Sequence, residues 1–226
     1  MTQNEATPNA ASIRPAAVIF DMDGLLFDSE VLSRDAFLAA SSEIGHVATH
    51  DDFLVMVGRP WTINRVYLQD VFGKAQDIEA FGSVWRRYYV ALKAGLALKA
   101  GVVELLDHLD ALKIPRAICT SSPHEDVTFN LALHGLASRF DAVIASGDYA
   151  KGKPAPDPFL RAAEVLGVDP AACLALEDSH NGVRAAAAAG MRTVMIPDLL
   201  PATDEIRALC RMVAVDLHEV RAHLAA

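Results

Sequence analysis

The stretch AAVIFDMDGLLFDSE, residues 16–30, begins as an unbroken apolar run, Ala16–Phe20, and stops at Asp21, with Asp23 and Gly24 close behind. Four later runs have the same form: Arg116–Thr120, Ala142–Ala145, Cys173–Leu176 and Thr193–Ile196, with a weaker sixth at Met212–Val215. Short apolar runs without alternation read as strands buried on both faces. Helical patterns lie between them. Val102–Leu112 sets Val103, Leu106 and Leu109 on one side, His124–His134 and Pro158–Leu166 are similar, and Gly182–Ala189 is closed by Gly190, a helix-ending residue. Strands alternating with helices imply an α/β fold, a doubly wound, Rossmann-like parallel sheet.

The rhythm fails once. From about Asp28 to Leu98 no strand pattern occurs, and Val31–Ile44, Trp61–Phe72 and Ile78–Leu92 read as helices. That is far longer than a usual strand-to-helix connection. It reads as an inserted α-helical cap over the carboxyl edge of the sheet. The expected division is a catalytic core of residues 15–28 and 99–226, a helical cap of residues 29–98, and a disordered N-terminal tail of residues 1–14. The tail is polar and lacks the apolar segment of a signal peptide.

Composition narrows the function classes. With 226 residues, 52% of them hydrophobic and 22% charged, the chain can bury a sizeable core. A net charge of -9 repels polyanions, so neither nucleic acid nor an anionic membrane is an expected partner. No apolar run reaches the ~20 residues that span a bilayer. Cys119 and Cys173 fall in strand runs and Cys210 in a helix near the C-terminus, which fits reduced thiols in a cytoplasmic protein. No Cys/His spacing of the metal-binding type occurs.

In an open α/β sheet, ligands bind beyond the carboxyl ends of the strands. The polar residues expected there are Asp21, Asp23 and Gly24 from the first strand and Thr120, Ser121 and Ser122 from the second. Asp148 and then Lys153 follow the third, and Glu177, Asp178 and Ser179 follow the fourth. An Asp after one strand is often a turn residue or a helix cap. Convergence of several strands on carboxylates, hydroxyls and a lysine suits phosphoryl transfer instead. Carboxylates and a hard divalent cation make an oxygen-ligand site of the magnesium type. An aspartate can attack phosphorus and hold the phosphoryl group, while a threonine hydroxyl and a lysine ammonium hold its oxygens. Asp23 stands where it could exchange a proton with the leaving group and with water. In Gly152-Lys153-Pro154 the proline restrains the lysine before it.

These segments resemble the four motifs of the haloacid dehalogenase superfamily. Asp21-Met-Asp-Gly-Leu-Leu-Phe-Asp28-Ser29-Glu30 is similar to the first, Cys119-Thr120-Ser121-Ser122 to the second, Lys151-Gly-Lys153-Pro to the third and Glu177-Asp178-Ser179 to the fourth. The helical insertion resembles the cap of the phosphoglycolate phosphatase and β-phosphoglucomutase branch. The resemblance implies Asp21 as nucleophile and Mg2+ ligand, and Asp23 as general acid/base with its main-chain carbonyl on the metal. It implies Thr120 and Lys153 on the phosphoryl group, with Gly24 and Ser121 at the substrate. Asp178 would ligate Mg2+, with Glu177 beside or supporting it. The implied substrate is a small phosphorylated metabolite.

Departures shape the expectation further. The β-phosphoglucomutases carry a His where Ser33 stands and Ser-Lys where Ser122-Pro123 stands, so a phosphatase is favoured over a phosphosugar mutase. The metal-free dehalogenases lack the second aspartate that Asp23 supplies. A receiver-like phospho-accepting protein is the alternative of another class, but receivers have no long helical insertion. In the cap, Arg59 is either a substrate contact or a surface ion-pairing residue, and Trp61 is read as cap core in preference to a sugar platform. Arg86-Arg87 reads as a solvated helix face, His46 and His50 as loop residues, and His124 and His180 as helix-start or loop residues near the motifs. A monomer is expected, with a dimer left open.

Overall fold

Six strands pair in parallel: β1 (Ala17–Phe20), β2 (Arg116–Cys119), β3 (Ala142–Ile144), β4 (Cys173–Glu177), β5 (Arg192–Met195) and β6 (Met212–Val213). Their order in the sheet is β3-β2-β1-β4-β5-β6. This computed structural model describes residues 14–57, 59 and 61–224, so the expected tail, apart from Arg14, lies outside the described residues, as does Gly58 beside Arg59. Ten helices are present among the described residues: α1 (Ser29–Glu43), α2 (His50–Leu54), α3 (Trp61–Phe72), α4 (Ile78–Leu92), α5 (Val102–Leu112), α6 (His124–Leu133), α7 (Asp157–Leu166), α8 (His180–Ala188), α9 (Asp204–Leu209) and α10 (Leu217–His223).

β1 shows why the sheet needs helices on both faces. Val18 and Phe20 point into an apolar layer with Leu105, Leu106 and Leu109 of α5, Leu131 of α6 and Leu217 of α10. Ala17 and Ile19 point into the opposite layer, with Phe159, Ala162 and Ala163 of α7 and Ala185 and Ala186 of α8. Successive side chains of a strand alternate between faces, so an all-apolar run requires a cover on each. The alanines of α7 and α8 let those helices lie close to the sheet. The buried stripe of α5 is Val102, Leu105, Leu106 and Leu109, and Val103 is 41% exposed. Leu106 and Leu109 lie on the buried side as expected, and Val103 alone falls outside it, because a strict spacing of 3 drifts against the 3.6-residue turn.

Between β1 and α5 the insertion α1–α4 builds its own aromatic core. Phe37 of α1 meets the rings of Phe53, Phe72, Phe81 and Trp85 at centroid distances of 5.2–6.4 Å. Leu68, Ile78 and Met56 complete the cluster. α2 and α9 are short helices set by caps more than by periodicity. Thr49 accepts from the Asp52 N–H while the Asp52 carboxylate accepts from the Thr49 N–H, and Thr203 accepts from the Ile206 N–H. His50 therefore opens a helix instead of lying in a loop, and Cys210 follows α9 instead of sitting within it. No helix of the described residues is long and apolar enough to cross a membrane.

The ring cluster has little else to replace Phe37, so Phe37→Ala is expected to cost about 3–5 kcal/mol. Urea unfolding checks it; a cost under about 1 kcal/mol would mean that the insertion is held by something other than this ring.

Candidate active site

Chain order reverses between β1 and β4, and that is where an open parallel sheet leaves a crevice at its carboxyl ends. The register sets Phe20 beside Leu176, so Asp21 leaves β1 next to the end of β4. The Asp21 N–H donates to the Leu176 carbonyl at 2.9 Å, which fixes that start. Asp21, Glu177 and Asp178 are all buried. Each offers a carboxylate oxygen, and these oxygens lie within 4.8 Å of one another.

One cation stands among them. Lys153 donates to Asp21 Oδ1 at 2.5 Å, to Glu177 Oε1 at 2.5 Å and to the Cys119 carbonyl at 2.9 Å. Three carboxylates against one ammonium leave negative charge uncompensated, and the titration of the groups reflects it. Burial pushes Asp21 up to about 7, with Lys153 opposing the rise and Glu177 adding to it. Burial, Asp21 and Glu177 push Asp178 well above the usual carboxylate range. Burial opposes the charge on Lys153, yet Asp21 and Glu177 hold its ammonium well above the ordinary range. An all-oxygen cluster with surplus negative charge fits a hard divalent cation such as Mg2+.

Two glycines make the cluster possible. A Cβ at Gly182, near the start of α8, would fall on the Glu177 carboxylate. At Gly24, whose φ of +81° favours glycine, a Cβ would fall on Asp178 Oδ2. Ser179 caps α8 by accepting from the Gly182 N–H at 3.1 Å, and its own N–H and hydroxyl donate to Glu177 Oε2 at 3.3 and 3.1 Å. The side chain that starts the helix also orients Glu177.

Asp23 faces elsewhere. Its Oδ2 accepts from the Ser122 hydroxyl at 2.6 Å and from the Thr120 hydroxyl at 3.5 Å. Burial raises its pKa, with Ser122 lowering it and Asp21 raising it again. Its carboxylate is outside the three-residue acidic cluster. Asp21, Asp23, Thr120, Ser121, Lys153 and Asp178 border one cavity of about 670 Å³. Glu177 is fully buried beneath it, and Gly24 does not border it but seats Asp178.

The insertion supplies the far wall: Glu30 and Ser33 of α1, Arg59, and Tyr89 of α4. Arg59 is exposed at the junction with a neighbouring cavity lined by Val55, His180 and Arg184. Trp61 is 36% exposed, bonded to Glu79 at 3.3 Å, and belongs neither to the aromatic core nor to the main cavity. Arg86 and Arg87 are exposed and pair with Glu125 and Glu43. His124 pairs with Asp148 at 2.9 Å and His180 meets the Pro201 carbonyl at 2.9 Å, and neither borders the main cavity. Sequence reading passed over Tyr89 and Asn130. Asn130 carried a signal, a polar residue on the buried Val127–Leu131 stripe of α6.

Residues 15–190 match the model of the haloacid dehalogenase-like hydrolases. The chain is 34% identical over 82% of its length to Suppressor of quenching 1 of Arabidopsis thaliana, but spans only 18% of that chloroplast protein. It is 33% identical to the fructose-1-phosphate phosphatase YqaB of Escherichia coli, covering 80% of this chain and 96% of that one. A hydrolase of the same family from Deinococcus radiodurans, solved with bound phosphate and sodium, superposes with a TM-score of 0.76 at 27% identity, over 92% of this chain and 93% of that one.

Two outcomes follow from the geometry. Gly182→Ala must displace Glu177, and calorimetry is expected to show Mg2+ binding weakened by about 10- to 100-fold; unchanged binding would remove Glu177 from the metal's support. Metal-free Asp21 holds its proton more tightly folded than unfolded. Its favourable contribution is therefore present at low pH and lost as pH rises from 3.8 to about 7. Between about pH 5 and about pH 8, urea unfolding should show metal-free wild type losing stability relative to Asp21→Asn. A pH-independent difference would contradict the raised carboxyl.

Proposed function

Because the chain belongs to the haloacid dehalogenase-like hydrolases, we propose that it is a Mg2+-dependent phosphatase that hydrolyses a small phosphorylated metabolite through an aspartyl-phosphate on Asp21. The observation that carries this reading is the pairing of Asp21 with Lys153 at 2.5 Å inside the acidic cluster, with Asp23 held apart on Ser122. Two carboxyls from one strand end thus have different surroundings and can take different roles.

Asp21 Oδ attacks phosphorus as the bond to the leaving alcohol breaks. Asp23, whose raised pKa favours the protonated form, gives its proton to the departing oxygen. As a carboxylate it then takes a proton from water, whose oxygen attacks the same phosphorus and releases Asp21 and inorganic phosphate. Lys153 and Thr120 hold the phosphoryl oxygens, and Ser121 lines the approach. Asp21, Asp178 and the Asp23 carbonyl would hold Mg2+, with Glu177 supporting the site. The bound ion would offset charge between the carboxylate and the phosphate.

Residues 15–28 and 99–226 are assigned as the catalytic core and residues 29–98 as the cap, acting as a cytoplasmic monomer. The named activity of the Escherichia coli relative supports a sugar phosphate as substrate. Asp23 disfavours metal-free dehalogenation.

Phosphate release from p-nitrophenyl phosphate tests the proposal. Release is expected with Mg2+, should vanish with EDTA, and should fall by at least about 10³-fold in Asp21→Asn. Full activity in that variant would exclude the aspartyl-phosphate.

A further inference from the structure

The loop after β5 brings a further buried carboxylate close to the acidic cluster. The Ile196 N–H donates to the Glu177 carbonyl at 2.7 Å, which pins that loop to the end of β4. Two residues on, the Asp198 side chain is 7% exposed. Its Oδ1 accepts from Lys99 at 2.7 Å, whereas its Oδ2 is buried with no hydrogen-bond partner among the described residues. An ion pair at one oxygen offsets only part of the cost of burying the other. Oδ2 has a definite neighbour. A Cβ at Gly24 would stand 2.3 Å from Asp178 Oδ2 and 3.2 Å from Asp198 Oδ2, so the two carboxylates flank one point. Asp198 is nevertheless outside the group of Asp21, Glu177 and Asp178 whose oxygens could share one ion, and it does not border the main cavity.

Lys99 comes from the place where the chain returns from the insertion to α5. There the Lys99 N–H donates to the Leu26 carbonyl at 3.0 Å and the Asp28 N–H to the Ala97 carbonyl at 2.9 Å, so the two crossings between insertion and sheet are tied to each other. The Lys99 ammonium lies between Asp198 at 2.7 Å and Asp28 at 3.5 Å. Burial opposes its charge, yet Asp198 and Asp28 hold it above the ordinary range. Like charges close together at Asp178 and Asp198 raise the energy of the metal-free site, and a bound cation would relieve it. Resting on the Mg2+-dependent reading above, we propose that Asp198 is a positioning residue for the divalent cation, acting through Asp178 without ligating the ion, and that Lys99 sets how much of its charge the cation meets. The strength of the metal site is thereby linked to the crossing that carries the insertion. An arrangement that turned Lys99 towards Asp28 would favour the ion, and by reciprocity the ion would favour that arrangement.

Calorimetric titration of the full-length protein with Mg2+ alone tests this. Asp198→Asn keeps the shape and an acceptor for Lys99 but loses the charge, and should weaken Mg2+ binding by about 10-fold or more. Lys99→Met removes the opposing charge and should tighten binding by about 5-fold. A mere brace of the fold would weaken binding in both variants, so the opposite signs separate the two roles. In Mn2+-loaded protein, water-proton relaxation per bound ion should be the same in wild type and Asp198→Asn, because the ligand set is unchanged. A difference there would mark Asp198 as a ligand and overturn the proposal. If wild type binds Mg2+ but Asp198→Asn binds it equally, or Lys99→Met binds it no more tightly than wild type, the inference fails alone. If wild type binds no Mg2+, the phosphatase reading falls with it. Should Asp198→Asn not fold, the sign of the Lys99→Met change decides.

Discussion

Burying three carboxylates around a single lysine is the constraint on which the rest of this structure depends. Isolated buried charges are expensive, and a pair offsets the cost only with good geometry and further hydrogen bonds. Lys153 meets that condition by spanning Asp21 and Glu177 while donating its remaining proton to the Cys119 carbonyl. Serine donors complete Glu177, and two glycines leave room for the carboxylates. The sheet order follows the same need, because only the β1/β4 reversal brings the ends of those two strands together with no crossover between them.

Much of the fold was legible in the sequence because its strands are buried on both faces, where apolar content needs no period to be seen. Each run ended within a residue or two of the observed strand, so the polar residues after it were assigned to the right edge. Asp21, Asp23, Thr120, Ser121, Lys153 and Asp178 do converge on one cavity. Less legible was whatever depends on three-dimensional neighbours. Gly24 reads as a phosphate-side residue in the chain but acts as a seat for Asp178. Trp61 reads as core because it is large and apolar, yet its indole N–H has found Glu79 at the surface. α2 escaped notice because one side chain at its start sets it, and its few residues carry no repeat.

The two sides of the cavity contribute differently. The strand ends bring the groups that handle phosphorus, held by short hydrogen bonds within a rigid sheet. α1, α4 and α6 bring a wall whose groups are less completely satisfied, as Asn130 shows. Stability alone would remove such an orphan acceptor, since an apolar residue of similar shape would pack there without penalty.

The aromatic cluster of the insertion shares no residue with either apolar layer of the sheet. Energetic effects at sites without common partners add independently. Mutations that reshape the insertion therefore leave the folding of the sheet and the arrangement of its carboxylates largely untouched. In evolutionary terms the chain is modular: the rings around Phe37, none of which borders the cavity, can drift while the carboxylates at the strand ends are inherited intact.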